Sequence, residues 1–300
     1  MPDLGEFELI ERFFTRPARR ATLGVGDDCA ILKPTPDTTL AVSTDMLIEG
    51  RHFLSTVPPD RLGHKALAVN LSDLAACGAR PLAFTLALAD REACELIGGD
   101  TTHGPLAICI TVFGELPAGG ALLRSGARPG DDLYVSGTLG DARLALEAFR
   151  GQVTLEADAF AQVRRAMEMP APRTSLGIRL RGVATSAIDV SDGLTGDLGH
   201  LLRRSGVGAV VDVDALPRSA VLAAQPMELQ RECLLAGGDD YELVFTALAS
   251  RRDAVAAAAA GSGIAVRRIG RIDAGPGLRL VDRAGADVAS QFGSFDHFRA

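Results

Sequence analysis

The stretch KALAVNLSDLAACG, residues 65–78, predicts a mostly apolar helix that stops at Gly78. Apolar, extended segments lie on either side of it, TLAVSTD at 39–45 and PLAFTLAL at 81–88, and LAICITVFGEL follows at 106–116. This order of strands and helix predicts an α/β unit. Asn70 and Asp73 are three residues apart, so they share one face of the helix.

A second unit follows a turn-forming segment, PAGG at 117–120, which is the best linker candidate. After it, helical patterns alternate with five predicted strands: DDLYVSG at 131–137, SAIDVS at 186–191, GAVVDVD at 208–214, YELVFTAL at 241–248 and AVRRIGRI at 265–272. We therefore predict an α/β protein of two domains, residues 1–118 and 119–300.

The composition is that of a globular protein, with 47% hydrophobic and 23% charged residues in a chain of 300. The N-terminus carries acids rather than a secretory signal, and the sequence has no apolar run of about 18 residues that would span a membrane. We expect a cytoplasmic protein that binds neither membranes nor nucleic acid, because the net charge is −7 and basic residues are dispersed. Five cysteines without a C-x-x-C pair predict reduced thiols rather than disulfides or a zinc site.

Two common nucleotide-binding loops are excluded by the residues themselves. The only lysines are Lys33 and Lys65, and neither ends a G-x-x-x-x-G-K-[ST] loop. GVGDDC at 24–29 has cysteine where a dinucleotide-binding fingerprint needs its third glycine. A P-loop nucleotide hydrolase is therefore excluded, and this stretch is not a dinucleotide-binding fingerprint.

The glycine-rich turn GVGDDCAIL, residues 24–32, contains two adjacent carboxylates, Asp27 and Asp28. Backbone N–H groups in such a turn suit an anion, whereas paired carboxylates suit a cation. The turn fits a phosphate only if a metal ion lies between them. A solvated Asp-Gly turn is the alternative interpretation of the stretch taken alone.

Further acids fall near the ends of predicted strands, where α/β proteins place their sites. Asp45 ends TLAVSTD, Asp100 ends CELIGGD, and Asp189 and Asp192 belong to SAIDVSDG. Each of them singly could cap a helix or close a turn. If they converge, they need a cation, because mutual repulsion would otherwise raise their pKa values. Oxygen ligands without a His or Cys cluster favour Mg²⁺, Mn²⁺ or Ca²⁺.

Nine motifs, in order along nearly the whole chain, resemble the thiamine-monophosphate kinase family. They are GEFELI, GVGDDCAIL, STDMLIEGRHF, KALAVNLSDLAACGARP, LIGGDTTHGP, RSGARPGDDLYVSG, AIDVSDGLTGDLGHL, GGDDYELVFT and FDHF. The family is similar in fold to aminoimidazole ribonucleotide synthetase, so the resemblance implies a two-domain architecture with mixed sheets and a homodimer formed through the N-terminal sheets. The implied reaction moves the γ-phosphoryl group of ATP onto the phosphate of thiamine monophosphate. Several Mg²⁺ ions would assist a direct transfer without a covalent intermediate or a catalytic base, since the acceptor is a phosphate oxygen of low pKa.

The resemblance also implies roles for individual residues. The Mg²⁺ ligands would be Asp28, Ser43, Thr44, Asp45, Asp73, Asp100, Asp189 and Asp192, with Asp27 as a neighbour. ATP would contact Gly99, Asp100, Arg124 and Ser191. The thiamine end would contact His52, Asp239 and Phe295. Without the resemblance, His52 reads as a satisfied strand-end histidine, Arg124 as a surface ion pair and Phe295 as a tail residue packed on the core.

The sequence departs from the family pattern at two points. LAFTLALADREACELIGGD passes from one strand to the next within a few residues, whereas the resemblance implies a further helix and a parallel crossover needs about a dozen residues. Either a segment is missing here, which would leave Cα atoms far apart between Ala87 and Cys94, or the connection differs. The second departure is Asp239, where the family usually has Glu.

Two other functions stay open from the sequence. One is a ligase-type relative that activates an amide oxygen with ATP, and the other is a metal- and nucleotide-binding module without turnover. Assaying thiamine diphosphate formation from thiamine monophosphate and Mg·ATP distinguishes all three.

Overall fold

The computed structural model describes residues 10–15, 19–25, 29–85, 95–99 and 106–288. Its first part is a four-stranded sheet covered by one long helix. The elements are β1 (Ala21–Leu23), β2 (Ile31–Leu32), β3 (Thr38–Ile48), α1 (Pro59–Ala76), β4 (Arg80–Thr85), β5 (Glu95–Gly98) and β6 (Ala107–Pro117). The strand order is β3-β6-β4-β5, while β1 and β2 form a separate ribbon.

The second part is a six-stranded sheet with helices on both faces. Its elements are β7 (Asp132–Ser136), α2 (Asp141–Phe149), α3 (Ala157–Glu168), α4 (Thr174–Leu180), β8 (Ser186–Val190), α5 (Leu194–Ser205), β9 (Gly208–Asp212), α6 (Ala220–Ala223), α7 (Met227–Ala236), β10 (Glu242–Ala247), α8 (Arg252–Ser262), β11 (Val266–Asp273) and β12 (Gly277–Val281). The strand order is β12-β9-β11-β7-β10-β8.

Both sheets are mixed, as the sequence predicts. Within each sheet most neighbours pair antiparallel, and one pair is parallel: β4 with β5, and β9 with β12. All five strands predicted for the second unit are present. The domain boundary at 118/119 stays a prediction.

Helix α1 follows the pattern that predicts it. Pro59 begins the helix, where a missing N–H costs nothing, and Gly78 takes a left-handed φ of 68° just after its end. Leu67, Leu71 and Leu74 pack against the four-stranded sheet. The helix is buried on other sides too, and Ala75 belongs to the core formed with α4 and the six-stranded sheet. α1 therefore joins the two sheets.

The close contact between α1 and α4 depends on one glycine. A Cβ atom at Gly177 would overlap the backbone carbonyl of Ala75. Because only glycine lets the two backbones approach so closely, Gly177 sets the distance between the α1 helix and the second unit.

Three expectations from the sequence need correction or lie outside the described residues. Asp45 lies within β3 rather than at its end, because β3 continues to Ile48. Asp3 with Glu6 three residues later forms a capping-box pattern that predicts a helix through Phe14, of which the described residues cover only Ile10–Phe14, as a π-helical turn. The strands β4 and β5 are parallel neighbours, so a crossover must connect them. That connection, at 86–94, lies outside the described residues, and so does the gap expected between Ala87 and Cys94. In the described ranges, no helix is both long and apolar enough to cross a bilayer.

Candidate active site: an acid-lined cavity

A cavity of about 250 Å³ opens where β3, α1 and α2 meet β8 and the loop before β10. Four carboxylates that are distant in sequence line it: Asp45, Asp73, Asp189 and Asp192. The remaining wall includes Arg51, His52, Arg143, Ser191, Asp239 and Tyr241. We expect Asp28, Asp45, Asp73 and Asp100 to converge on one cleft; Asp45 and Asp73 do so, together with Asp189 and Asp192, whereas Asp28 and Asp100 lie outside the described residues.

Each acid is held by a different element. On α1, Asp73 accepts a short hydrogen bond from the Ser43 hydroxyl of β3. The side-chain oxygen of Asn70 accepts a hydrogen bond from the backbone N–H of Asp45 at 3.1 Å. Asn70 and Asp73 therefore share one face of the helix, as predicted, and this face contacts β3. On β8, Asp189 accepts the Ser72 hydroxyl of α1 at 2.7 Å. Helix α1 thus ties an acid from each sheet to one cavity.

Burial and mutual repulsion raise the pKa values of three of these acids. Burial, followed by the charges of Asp73 and Asp192, raises the pKa of Asp45 from 3.8 to about 6. Burial and the charge of Asp73 raise the pKa of Asp189 to about 7. Burial also raises the pKa of Asp73, against the opposing effects of Ser43 and Arg124. Ionised carboxylates are unfavourable together here, so a bound cation would be stabilised.

The donor set fits Mg²⁺ in chemistry, because the cavity offers carboxylate and hydroxyl oxygens. Over the ranges that the structure describes, however, no three His, Cys, Asp or Glu side chains are close enough together to hold a metal ion. Asp27, Asp28 and Asp100 lie outside the described residues. The metal-binding role of these acids stays a prediction.

The Thr44 hydroxyl does not join the acids. Side chains alternate along a strand, so Ser43 and Asp45 point inward while Thr44 faces outward and shares a hydrogen bond with Thr111 at 2.8 Å. If Thr44 is a Mg²⁺ ligand, as the resemblance implies, its backbone oxygen rather than its hydroxyl would have to bind the ion.

The described residues expected at ATP differ in their position relative to the cavity. Ser191 lines the cavity, Gly99 is exposed after β5, and the exposed Arg124 is close enough to lower the pKa of Asp73. The Ser191 loop is fixed by Asp197, whose Oδ2 accepts the backbone N–H groups of Ser191, Asp192 and Gly193 at 3.0 to 3.1 Å. This rigid loop carries both a nucleotide candidate and a metal candidate.

His52 lines the same cavity and has a defined tautomer. Its Nδ1 accepts the backbone N–H of Ile48 at 3.0 Å, so the proton of the neutral ring lies on Nε2. His52 can therefore act as a donor through Nε2.

Asp239 also lines the cavity, in a turn of unusual backbone conformation. Asp239 and Tyr241 have φ values of 66° and 50°, and their N–H groups donate to Ser191 and Val190 at 2.8 Å. The third residue expected at the thiamine end, Phe295, lies outside the described residues.

Sequence reasoning missed three cavity features. Lys65 pairs with Asp239 at 3.0 Å, and the Tyr241 hydroxyl donates to Asp239 at 2.9 Å. Arg143 on α2 lines the wall, held by Glu147 at 2.6 Å and Glu232 at 2.7 Å. A lysine inside the otherwise apolar stretch KALAVNL is a signal for a buried ion pair, but its partner is 174 positions away.

Comparison with known proteins identifies the family of the chain. Residues 26–92 match the N-terminal domain, and residues 128–283 the C-terminal domain, of the AIR synthase related proteins. The thiamine-monophosphate kinase of Salmonella typhimurium is 45% identical over 322 aligned residues, covering 98% of each chain. That alignment is longer than this chain, so the relative has residues without a counterpart here.

Solved structures point the same way. The thiamine-monophosphate kinase from Stenotrophomonas maltophilia K279a superposes with a TM-score of 0.80 at 42% identity, covering 87% of this chain and 91% of that one. A structure described as AaThiL complexed with AMPPCP and TMP has a TM-score of 0.73 at 28% identity, covering 99% and 98%. The chain therefore belongs to the thiamine-monophosphate kinase family of AIR synthase related proteins.

Proposed function

We propose that this chain transfers the γ-phosphoryl group of ATP to the phosphate of thiamine monophosphate, giving thiamine diphosphate and ADP, with Mg²⁺ at the acid-lined cavity. The observation that carries the proposal is the convergence of Asp45, Asp73, Asp189 and Asp192 on one cavity. The relative bound to AMPPCP and TMP supports the choice of both substrates.

The transfer needs one bond to form and one to break. A phosphate oxygen of thiamine monophosphate bonds to the γ-phosphorus, and the bond from that phosphorus to the β–γ bridging oxygen breaks. Both reactants are anions, so Mg²⁺ held at this site would supply charge neutralisation and alignment. Asp45, Asp73 and Asp189 would hold the ions, with Ser43 and Ser72 fixing the orientation of two of these carboxylates.

The other end of the cavity would receive the thiamine rings. His52 offers a donor at Nε2, and Asp239, which also lines the cavity, offers acceptor oxygens. Apolar side chains nearby, Leu47, Val69 and Leu146, suit a flat organic ring. Arg124 and Ser191 would contact ATP from the other side, and Asp28, Asp100, Gly99 and Phe295 keep the roles that the resemblance implies.

The test is to incubate the purified protein with thiamine monophosphate and Mg·ATP and to measure thiamine diphosphate and ADP. Equal amounts of both products are expected. ADP released with an amide substrate but no thiamine diphosphate would indicate the ligase-type function. Nucleotide binding without any turnover would indicate a binding module.

We also propose a homodimer formed through the four-stranded sheet. The outward face of β3 carries Leu40, Val42, Met46 and Ile48, each exposed by 40% to 57%. A row of exposed apolar side chains on one strand is typical of a protein interface. A second copy of the same sheet is the partner that the family resemblance implies.

Analytical ultracentrifugation tests the dimer. The wild-type protein should sediment as a dimer and Val42→Lys as a monomer. Leu248→Lys, a change at another exposed leucine, should leave the dimer intact. A monomeric wild-type protein would contradict the proposal. A cytoplasmic location stays a prediction, to be checked by cell fractionation.

A further inference from the structure

Lys65 is a buried cation whose contacts connect two walls of the cavity. Its residue is 3% exposed, although it lies on α1 among apolar neighbours. Its Nζ donates to the backbone carbonyl of His52 at 3.1 Å and lies 3.0 Å from Asp239 Oδ2. Burying an ammonium group is costly unless it is paired, so these two contacts account for its position.

Asp239 is held from its other side as well. Tyr241 donates its hydroxyl proton to Asp239 Oδ1 at 2.9 Å, so each carboxylate oxygen has one donor among the described residues. The turn itself is fixed, because the N–H groups of Asp239 and Tyr241 bond to the end of β8. Each oxygen retains one lone pair, and the side chain of Asp239 is 36% exposed at the cavity wall.

We propose that Lys65 is a positioning residue that fixes the place and the net charge of Asp239, and thereby makes this end of the cavity select a neutral hydrogen-bond donor such as an exocyclic amine. The inference rests on the proposed function. Because Lys65 cancels the negative charge, the pair attracts a second cation weakly. Because both oxygens are held, their free lone pairs have fixed directions, which favours a donor in one place.

The same contact holds the shorter side chain that stands at position 239. Asp is one methylene shorter than the Glu expected from the family resemblance. Lys65 reaches across from α1 to the carboxylate while it also holds the carbonyl of His52. The positions of Asp239 and His52, two of the three candidate contacts to the thiamine end, are thus coupled through one side chain.

Steady-state kinetics of Lys65→Met, Asp239→Asn and the double variant test the inference, with each substrate varied in turn. In both single variants, the KM for thiamine monophosphate should rise at least tenfold, while the KM for ATP stays within twofold. The double variant should be no worse than the poorer single variant, since both changes disrupt one interaction.

A substrate analogue gives a readout that a purely structural role would not change. The pyrimidine amine of thiamine monophosphate is replaced by an oxygen, and kcat/KM is compared with that of the natural substrate. The preference for the amine should fall at least tenfold in Lys65→Met. Arg61→Met is the matched control, because Arg61 also lies on α1 and pairs with a buried carboxylate, Glu168, at 2.7 Å. It should keep the full preference.

The outcomes distinguish a failure of the proposed function from a failure of the proposed role of Lys65. If the wild-type protein makes no thiamine diphosphate, the proposed function fails. If it does, but Lys65→Met retains the KM and the amine preference, only the role of Lys65 is refuted. Should Lys65→Met fail to fold, Tyr241→Phe removes the other donor to Asp239 and keeps the ring. An unchanged KM for thiamine monophosphate in Tyr241→Phe and Asp239→Asn would then overturn the inference.

Discussion

Replacing Asp45 by Asn tests whether its carboxylate binds a cation or supports the fold. Burial and two neighbouring charges raise the pKa of Asp45 from 3.8 to about 6. At 1.4 kcal/mol per unit, the ionised side chain lowers the free energy of unfolding by about 1 to 3 kcal/mol in metal-free protein, the lower value allowing for its partial exposure. Asn removes the charge and keeps the Asp45 backbone hydrogen bond to Asn70.

The sign of the effect depends on pH. A carboxyl group whose pKa is raised in the folded state favours folding below pH 3.8, and this contribution is lost as the pH rises through about 6. In EDTA at pH 8, Asp45→Asn should therefore melt a few degrees above wild type, and at pH 4 the two should melt together. The variant should also lose Mg²⁺-dependent turnover and the stabilisation that added Mg²⁺ gives the wild-type protein.

Thermal melts with and without Mg²⁺ across this pH range provide the measurement. Asp37→Asn, a change at an exposed acid in the turn before β3, is the control and should match wild type throughout. A variant at Asp45 that melts well below wild type in EDTA at pH 8 would refute the reasoning and assign the carboxylate a structural role.

Three further changes test other parts of the structure. Asp239→Glu should keep kcat and change the KM for thiamine monophosphate by less than about threefold, because the resemblance implies Glu there. A loss of kcat alone would indicate that Asp239 acts near the metal ions and not at the thiamine end. Gly177→Ala should destabilise the protein by about 1 to 3 kcal/mol in urea unfolding, since its Cβ would overlap the Ala75 carbonyl; an unchanged midpoint would refute the close contact. Arg173→Met should cost about 3 to 5 kcal/mol, because it leaves the buried Glu242 without the guanidinium 2.7 Å away, and a loss below about 1 kcal/mol would contradict this.

The sequence by itself determined the class of the fold and most of its strands. Helix α1 could be predicted because its apolar residues recur at helical spacing and a glycine follows it. The acids could be singled out because carboxylates beside glycine turns and apolar strands are costly unless they bind something. The nine motifs implied the family, which the comparisons confirm.

Local patterns place residues along an element but not between elements, so the partners of these residues had to come from the tertiary structure. Ser72 meets Asp189 across 117 positions, because α1 packs between the two sheets. Thr44 could be mistaken for a ligand beside Asp45 because only the pleat of β3 decides which side chains face the cavity. The partners of Lys65 could not be predicted, because the cost of burying its charge is offset by Asp239 and His52, groups from two distant turns that only folding brings together.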